Sequence, residues 1–124
     1  MASSTTTNLF RANIAEWVVG QLVGAEACFG DGGHNPETEE VLSADPGQTD
    51  LNNPLITKPV FSVEVIDDYD IKIVARLDQA DLVAVEVSEA GIFTAAGELI
   101  SIRNFGPKAK EDDEVYDVDF TIHF

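Results

Sequence analysis

Alternation of apolar and polar side chains over the last forty residues constrains the fold more than any other feature of this chain. Between residues 116 and 124 every second side chain is aromatic or aliphatic, and the residues between them are Asp117, Asp119, Thr121 and His123. A period of two over nine residues predicts a β-strand with one face in the core. Residues 92–93 and 99–102 flank Gly97, which predicts a hairpin whose turn needs the positive φ that glycine tolerates.

The same period of two is present further upstream. Every odd-numbered residue in 61–65 and in 71–77 is apolar, and the acidic stretch 67–70 lies between them. These segments predict a second hairpin with its apolar side chains toward the core and a solvated outer face. Short apolar stretches at residues 25–29 and 83–87 are predicted as further strands.

The amino-terminal part has helical periodicity instead. Residues 1–7 are small and polar and are expected to form a flexible tail. A helix is predicted over residues 8–24, with Thr7 or Asn8 as its cap and Gly24 as its stop. Apolar residues at spacings of three and four form its stripe, and they are Phe10, Ile14, Trp17, Val18 and Leu22. The two aromatic residues of this stripe are expected to be core anchors.

These segments together predict one domain over residues 1–124 that is mostly β, an antiparallel β-sandwich with one amino-terminal amphipathic helix. A long acidic loop is predicted over residues 30–57, and the sandwich strands over residues 58–124. Gly106 and Pro107 are expected to end the strand that follows Gly97. Residues 108–114 are expected to form a charged loop.

The charge balance excludes several classes of partner. The chain has 23 acidic and seven basic residues, a formal net charge of −16. Such a surface repels nucleic acid and anionic membranes. The acidity fits either ordinary solubility or a halophilic or marine source, since molar salt screens carboxylate repulsion. The single cysteine, Cys28, has no disulfide partner in the chain and is expected to be a small buried hydrophobe.

Two groups of carboxylates could bind calcium, because they supply hard oxygen ligands within short segments. Asp31, Glu37, Glu39 and Glu40 lie in the predicted long loop, and Asp67, Asp68 and Asp70 lie in the predicted hairpin turn. Neither group has EF-hand spacing. A solvated acidic loop is the alternative interpretation of both.

The sequence predicts no catalytic residues and no cofactor. Glu86 and Glu89 are the best candidates for a glycosidase pair, but Glu89 is expected to accept backbone hydrogen bonds at a turn instead. His34 and His123 have no accompanying serine motif. The cluster Gly30-Asp31-Gly32-Gly33 lacks the lysine and the helix of a phosphate loop, and Asp31 would repel phosphate. No enzyme activity is predicted.

Three segments resemble tail-fibre and tail-collar proteins of tailed bacterial or archaeal viruses. They are IAEWVVG at residues 14–20, ACFGDGG at residues 27–33, and a block over residues 86–105 that contains EVSEAGIF, GELI and RNF. In the last block, Gly91 is expected to permit close strand approach. The structural positions carried by the resemblance are Trp17, Gly30, Gly32, Gly33, Glu89, Gly91, Phe93, Gly97 and Phe105.

The resemblance implies a virion structural protein rather than an enzyme. The expected role is an adaptor, or a short fibre or collar subunit, that attaches fibres or other components to the tail or baseplate. It implies other virion tail proteins as partners and a homo-oligomer, with a trimer favoured, made in the host cytoplasm and located in the virion tail. Because the chain ends inside its last predicted strand, at Phe124, without a fibre shaft, connection is expected rather than host recognition.

A carbohydrate-binding β-sandwich that contacts the host surface, assisted by calcium, is the alternative. Such modules expose aromatic residues that stack on sugars. Tyr69 is the only aromatic residue expected in an obviously exposed position, which counts against this alternative.

Overall fold

The computed structural model describes residues 7–67, 70–111 and 113–123. It contains one helix and two antiparallel sheets, with strand orders β2-β1-β5-β6 and β3-β4-β7. In chain order the elements are α1 (Asn8–Gln21), β1 (Glu26–Gly30), β2 (Pro54–Pro59), β3 (Ser62–Val65), β4 (Asp70–Leu77), β5 (Glu86–Phe93), β6 (Leu99–Ala109) and β7 (Tyr116–His123). The predicted fold, a mostly β antiparallel sandwich with one amino-terminal helix, is confirmed.

The core lies between the two sheets. On β4 the alternation is complete, and its odd-numbered side chains from Ile71 to Leu77 are fully buried. Val118 and Phe120 of β7 continue this face. The four-stranded sheet contributes side chains from β1 and β5 to the same cluster, including Phe29. Burial of these apolar surfaces is the main driving force for such a fold.

A loop over residues 31–53, called here the cover loop, packs on the outer face of the four-stranded sheet. Both faces of β5 are therefore enclosed, and every residue from Val87 to Ile92 is buried. Leu51, which is also buried, lies against Gly91 of β5. Cys28 on β1 is buried as expected.

The helix is shorter than predicted and packs through a different side. Thr7 caps it, with its hydroxyl accepting from the Phe10 N–H, and it ends at Gln21 rather than at residue 24. The expectation that Phe10 and Trp17 anchor the core is wrong, since their side chains are 58% and 66% exposed. Apolar residues surround most of the helix, so periodicity alone selects no single face. The short side chain of Ala15 faces the sheets instead.

Two strand boundaries differ from the sequence prediction, and both belong to strands at the edges of the four-stranded sheet. The predicted loop over residues 30–57 ends at residue 53, since Pro54–Pro59 forms β2 at one edge of its sheet. Strand β6 continues through Gly106 and Pro107 to Ala109. Val87 pairs with Lys108 and Glu89 with Asn104, so three residues of β6 bulge opposite Ser88. A proline is tolerated at a bulge on an edge strand.

The predicted strand over residues 83–87 begins only at Glu86. Leu82 and Ala84 have φ values of 45° and 60°, which are incompatible with a strand. In the other hairpin Phe61 and Val65, predicted to face the core, are each about half exposed, because β3 is a short edge strand.

The predicted charged loop over residues 108–114 contains a buried lysine side chain. Lys108 and Ala109 belong to β6, and Lys110 is almost fully buried. Its ammonium group donates to the carbonyl oxygens of Gln79, Glu111 and Glu114 at 2.8 to 3.1 Å. Three carbonyl partners satisfy its three donors. This lysine therefore joins two loops at one end of the sandwich.

Candidate functional site

The glycine turn, residues 30–33, lies directly on the neighbouring backbone. A Cβ added to Gly33 would be 2.0 Å from the Ser88 carbonyl oxygen, and one on Gly30 would be 2.4 Å from that of Asn53. Gly32 is equally crowded, with a side-chain atom at 2.5 Å. Only residues without a Cβ permit this approach. The glycine motif therefore serves packing of the cover loop.

Glu89 is fully buried beneath this turn. Its Oε1 accepts from the Asn53 N–H at 3.0 Å, and its Oε2 has no partner among the described residues. Burial raises the pKa of the Glu89 carboxyl group, the Asn53 N–H opposes this change, and the charge of Asp31 adds to it. Glu89 thus accepts a backbone hydrogen bond as expected, but from the interior of β5 rather than at a turn.

A second buried acceptor lies opposite Glu89. Asn104 pairs with Glu89 across β5 and β6, and its Oδ1 also has no partner in the described part of the chain. A Cβ on Gly32 would be 3.0 Å from Glu89 Oε2, and one on Gly33 would be 3.1 Å from Asn104 Oδ1. Both oxygens therefore lie under the same turn.

Ser88 and His34 form a pair that sequence reasoning did not identify. The Gly33 N–H donates to Ser88 Oγ at 2.9 Å, and Ser88 Oγ lies 2.7 Å from His34 Nδ1. Ser88 is fully buried, so its hydroxyl group is closed to any substrate in this conformation. A catalytic nucleophile must reach its substrate. The pair holds the glycine turn against β5.

The proposed carboxylate pair is also separated by burial. Glu86 is exposed and lines a groove beside the glycine turn together with Asp31 and His34, whereas Glu89 does not line it. A glycosidase needs both carboxyl groups at the scissile bond. The groove therefore offers one of the two groups only.

The calcium candidates that the structure describes are not assembled into a site. Asp31 contacts the side-chain amide of Asn53, and Glu37 is exposed. Asp67 accepts from the Asp70 N–H at 2.9 Å, and Asp70 contacts His123 Nδ1 at 2.7 Å. Within residues 7–67, 70–111 and 113–123, no group of three or more His, Cys, Asp or Glu side chains is arranged to hold a metal. Asp68 lies outside the described residues, as does Tyr69.

An apolar surface lies on the outer side of α1. It is called here the helix face and consists of the exposed residues Leu9, Phe10, Trp17 and Gly20, with the exposed polar residues Asn13 and Glu16 between them in the chain. The first three side chains are 75%, 58% and 66% exposed. Exposed apolar groups that cluster on one surface mark protein-binding sites more often than scattered ones do.

Two grooves run beside the helix. One encloses about 330 Å³ between Trp17 and the ends of β6 and β7, where Leu99, Ile100 and Ile122 line it. The other encloses about 400 Å³ between Val19 and Val65. Both are lined mainly by apolar side chains. The helix therefore sits on the end of the sandwich with apolar surface on its outer side and on both flanks.

The structure brings together five of the positions that carry the resemblance. Gly30, Gly32, Gly33, Glu89 and Gly91 all lie where the cover loop meets β1 and β5. A Cβ on Gly91 would be 2.9 Å from the Leu51 side chain.

The other four positions lie elsewhere. Gly97 has φ +88° in the β5–β6 turn, as the hairpin requires. Phe93 ends β5, and the Phe105 ring lies 5.9 Å from that of Tyr116. Trp17 is on the helix face. Its exposure could not be read from periodicity, and the Ser88–His34 pair joins residues more than fifty positions apart.

The described part of the chain contains no helix long and apolar enough to cross a bilayer. No protein-family model and no curated protein sequence matches the chain.

Proposed function

We propose that this chain is a structural subunit that binds other proteins through its helix face. The observation that carries this proposal is an apolar, largely uncharged helix surface on a protein with a net charge of −16. Between residues 7 and 25 the only charged side chains are Arg11 and Glu16. Apolar anchors with few charges are typical of the centre of a protein interface.

The more specific proposal is a virion tail protein, an adaptor or a short fibre or collar subunit. Support for this role comes from the resemblance of residues 14–20, 27–33 and 86–105 to tail-fibre and tail-collar proteins. Its proposed partners are baseplate, tail-tube or fibre proteins and further copies of itself. The negative surface disfavours nucleic acid and anionic membranes as partners.

The burial of the polar residues Ser88 and Glu89 supports a structural role over an enzymatic one. Ser88 and Glu89 carry the groups most often used in hydrolysis, yet both are fully enclosed by the cover loop. Their hydrogen bonds run to the backbone of the same loop. The hydroxyl group of Ser88 and the carboxyl group of Glu89 therefore stabilise the packing of the cover loop.

Co-purification with the products of neighbouring reading frames tests this proposal. A tagged chain is expected to retain a tail, baseplate or fibre protein, and Trp17→Ser is expected to lose at least tenfold in affinity. Val115→Ser is the matched control, because Val115 is also an exposed apolar residue but precedes β7 at the opposite end from Ile122. Equal binding by both variants, or absence of the chain from purified virions, would contradict the proposal.

A glycan array with and without calcium tests the alternative of a carbohydrate-binding module. The groove beside the glycine turn has no Phe, Tyr or Trp side chain among its described lining residues, and sugar sites usually need one for stacking. We therefore expect no specific signal. Binding of a defined glycan by the isolated chain would replace the adaptor role with host recognition.

A further inference from the structure

The cover loop connects two strands that are neighbours in one sheet. β1 and β2 pair as antiparallel strands, and at their ends the Asp31 N–H donates to the Asn53 carbonyl oxygen at 3.2 Å. The loop therefore begins and ends at the same place. The apolar core lies on the other face of this sheet, where β1 and β5 contribute Phe29 and Ile92. Residues 31–53 can therefore move outward without breaking strand pairing or opening the core.

Side chains provide the attachment of the cover loop to the sheet. Within the described residues, its hydrogen bonds to β5 and β6 all involve Ser88, Glu89 or Asn104. Leu51 is its one buried apolar side chain. Segments held by few buried apolar contacts open at lower free energy than core strands do. The cover loop is therefore expected to open more readily than the core strand β4.

Glu89 makes this attachment sensitive to its own charge. Its carboxyl group is fully buried, with Oε1 bonded to the Asn53 N–H and Oε2 without a partner in the described part of the chain. The unpaired Oδ1 of its cross-strand neighbour Asn104 adds an acceptor rather than a donor. An ionised carboxylate only accepts hydrogen bonds, and burying it without enough donors is costly. The closed loop therefore favours neutral Glu89, and ionised Glu89 favours an open loop.

The charges of the cover loop act in the same direction. Residues 31–53 include six acidic residues and no lysine or arginine. Burial raises the pKa of the Glu89 carboxyl group, the Asn53 N–H lowers it, and the charges of Asp31 and Asp50 raise it further. Like charges repel more strongly in a poorly solvated interior than in water. Once Glu89 is ionised, the segment that covers it is therefore also repelled by it.

The other titratable groups on the surrounding elements, as far as the structure describes them, do not offset this repulsion. Arg103 and Lys108, the basic residues of β6, donate to groups outside the cover loop. His34 Nδ1 contacts the serine hydroxyl group of β5. Cys28 of β1 stays a neutral thiol, because burial raises its pKa. No ion pair therefore holds Glu89 in its ionised form.

We propose that the cover loop is a lid controlled by one proton: ionisation of Glu89 releases residues 31–53 from β5 and β6 while both sheets stay folded. The released state exposes the outer face of β5, including the Ser88 hydroxyl group and the Glu89 carboxylate. This lid goes beyond the proposed function, because it lies on the four-stranded sheet and makes no use of the helix face.

The dependence of the lid on pH has a defined sign. In the open form Glu89 is in water and has its ordinary pKa of about 4.5, whereas in the closed form its pKa is higher. Below the ordinary value both forms carry the proton, and the ratio of open to closed chains is constant. Above it the ratio rises by up to about tenfold per pH unit, because opening releases one proton. The rise ends when the pH exceeds the raised pKa of the closed form.

Amide hydrogen exchange from about pH 4 to about pH 8, with each rate divided by its intrinsic value, tests the lid. The reporters are the N–H groups of Gly33 and Asn53, which are bonded to Ser88 and Glu89 in the closed form. Both are expected to be less protected than the amides of β4 at every pH. Their protection is expected to fall with pH by up to about tenfold per unit.

Cys28 is a second reporter, because it is the single cysteine and lies on the covered side of β1. It pairs with Gly91, against which Leu51 packs, and it is buried. A thiol reagent should therefore modify it through the open form. The rate, relative to that of the urea-unfolded chain at the same pH, is expected to rise as loop protection falls.

Three substitutions assign the proton. Glu89→Gln is expected to remove the pH dependence of both reporters, since an amide does not ionise. Asp31→Asn keeps an oxygen for the Asn53 side chain but removes a charge that raises the pKa of Glu89, so the total rise in opening should shrink. Glu37→Gln is the matched control, because Glu37 is an exposed acid of the same loop whose charge does not act on Glu89. It should behave as the wild-type chain does.

Three results would overturn the lid. Equal protection of the loop and β4 amides at every pH would show that the loop leaves only when the whole domain unfolds. Opening that still followed pH in Glu89→Gln would assign the proton to another group, such as His34. If that variant did not fold, identical pH profiles for Asp31→Asn and Glu37→Gln would exclude Glu89 as the controlling group. None of these results concerns the helix face, so the proposed function is tested separately.

Discussion

Replacing Gly33 with alanine tests the packing of the cover loop most severely. The added Cβ would lie 2.0 Å from the Ser88 carbonyl oxygen, whereas ordinary contact begins at 3.4 Å. The turn must therefore move by more than 1 Å, because the obstructing atom belongs to the backbone of a central strand. That movement breaks the Gly33 N–H bond to Ser88 Oγ and the Leu42 N–H bond to the Gly33 carbonyl oxygen, both 2.9 Å.

The expected loss of stability follows from these two effects. Each hydrogen bond contributes about 1 kcal/mol net, and overpacking in a tight site adds about 1–3 kcal/mol. Gly33→Ala should therefore lower the free energy of unfolding by about 3–5 kcal/mol. Urea unfolding measures this change, and amide hydrogen exchange should show lost protection in residues 31–53 before the sheets are affected.

A matched substitution separates this clash from a general effect of glycine replacement. Gly106→Ala introduces the same methyl group into open space and should change stability by less than about 0.5 kcal/mol. If Gly33→Ala also stayed within that range, with normal exchange in the cover loop, the close approach of the glycine turn to β5 would be refuted.

Three further substitutions, the last with a surface control, test the interior. Because the folded pKa of Glu89 is raised, the folded state holds its proton more tightly, so stability should fall as the pH rises above about 4.5, the ordinary value for this group. Glu89→Gln should reduce that fall and add about 1–3 kcal/mol at pH 8 by removing a carboxylate oxygen without a donor. Parallel stability–pH curves for the two chains would refute this. Lys110→Met deprives three carbonyl oxygens of their donor and should cost about 2–4 kcal/mol in urea unfolding; an unchanged midpoint would count against the buried ammonium. Phe29→Ala should cost about 3–5 kcal/mol while Phe10→Ala costs under about 1 kcal/mol, and similar values for both would place Phe10 in the core.

The strands that could be predicted are those with one face in the core. Burial alternates along both β4 and β7, and Val74 is the one residue of these strands that breaks the apolar–polar alternation of the sequence. β2 escaped prediction since it lies at an edge, is mostly exposed and has prolines at both ends. The helix could be located by its cap and periodicity. Its packed side could not, because apolar residues lie nearly all round it.

The packing of the glycine turn on Ser88 and Glu89 could not be predicted from the sequence, for a different reason. The glycines at residues 30–33 predict a turn, but their crowding comes from Ser88 and Asn53, which are distant in the chain. Ser88 and Glu89 both contact the cover loop, at the place where the register between β5 and β6 shifts. Simple alternation would assign these two consecutive residues to opposite faces.

The central claim is that the helix face is an assembly surface, and the mass of the chain in solution tests it most directly. Sedimentation equilibrium of the wild-type chain should give more than one copy per particle, and Trp17→Ser should give a single copy that still unfolds cooperatively, since that side chain is mostly exposed in the single chain. A wild-type chain that stays a monomer at all concentrations, with a solvent-exposed Trp17 and no bound tail protein, would contradict the claim.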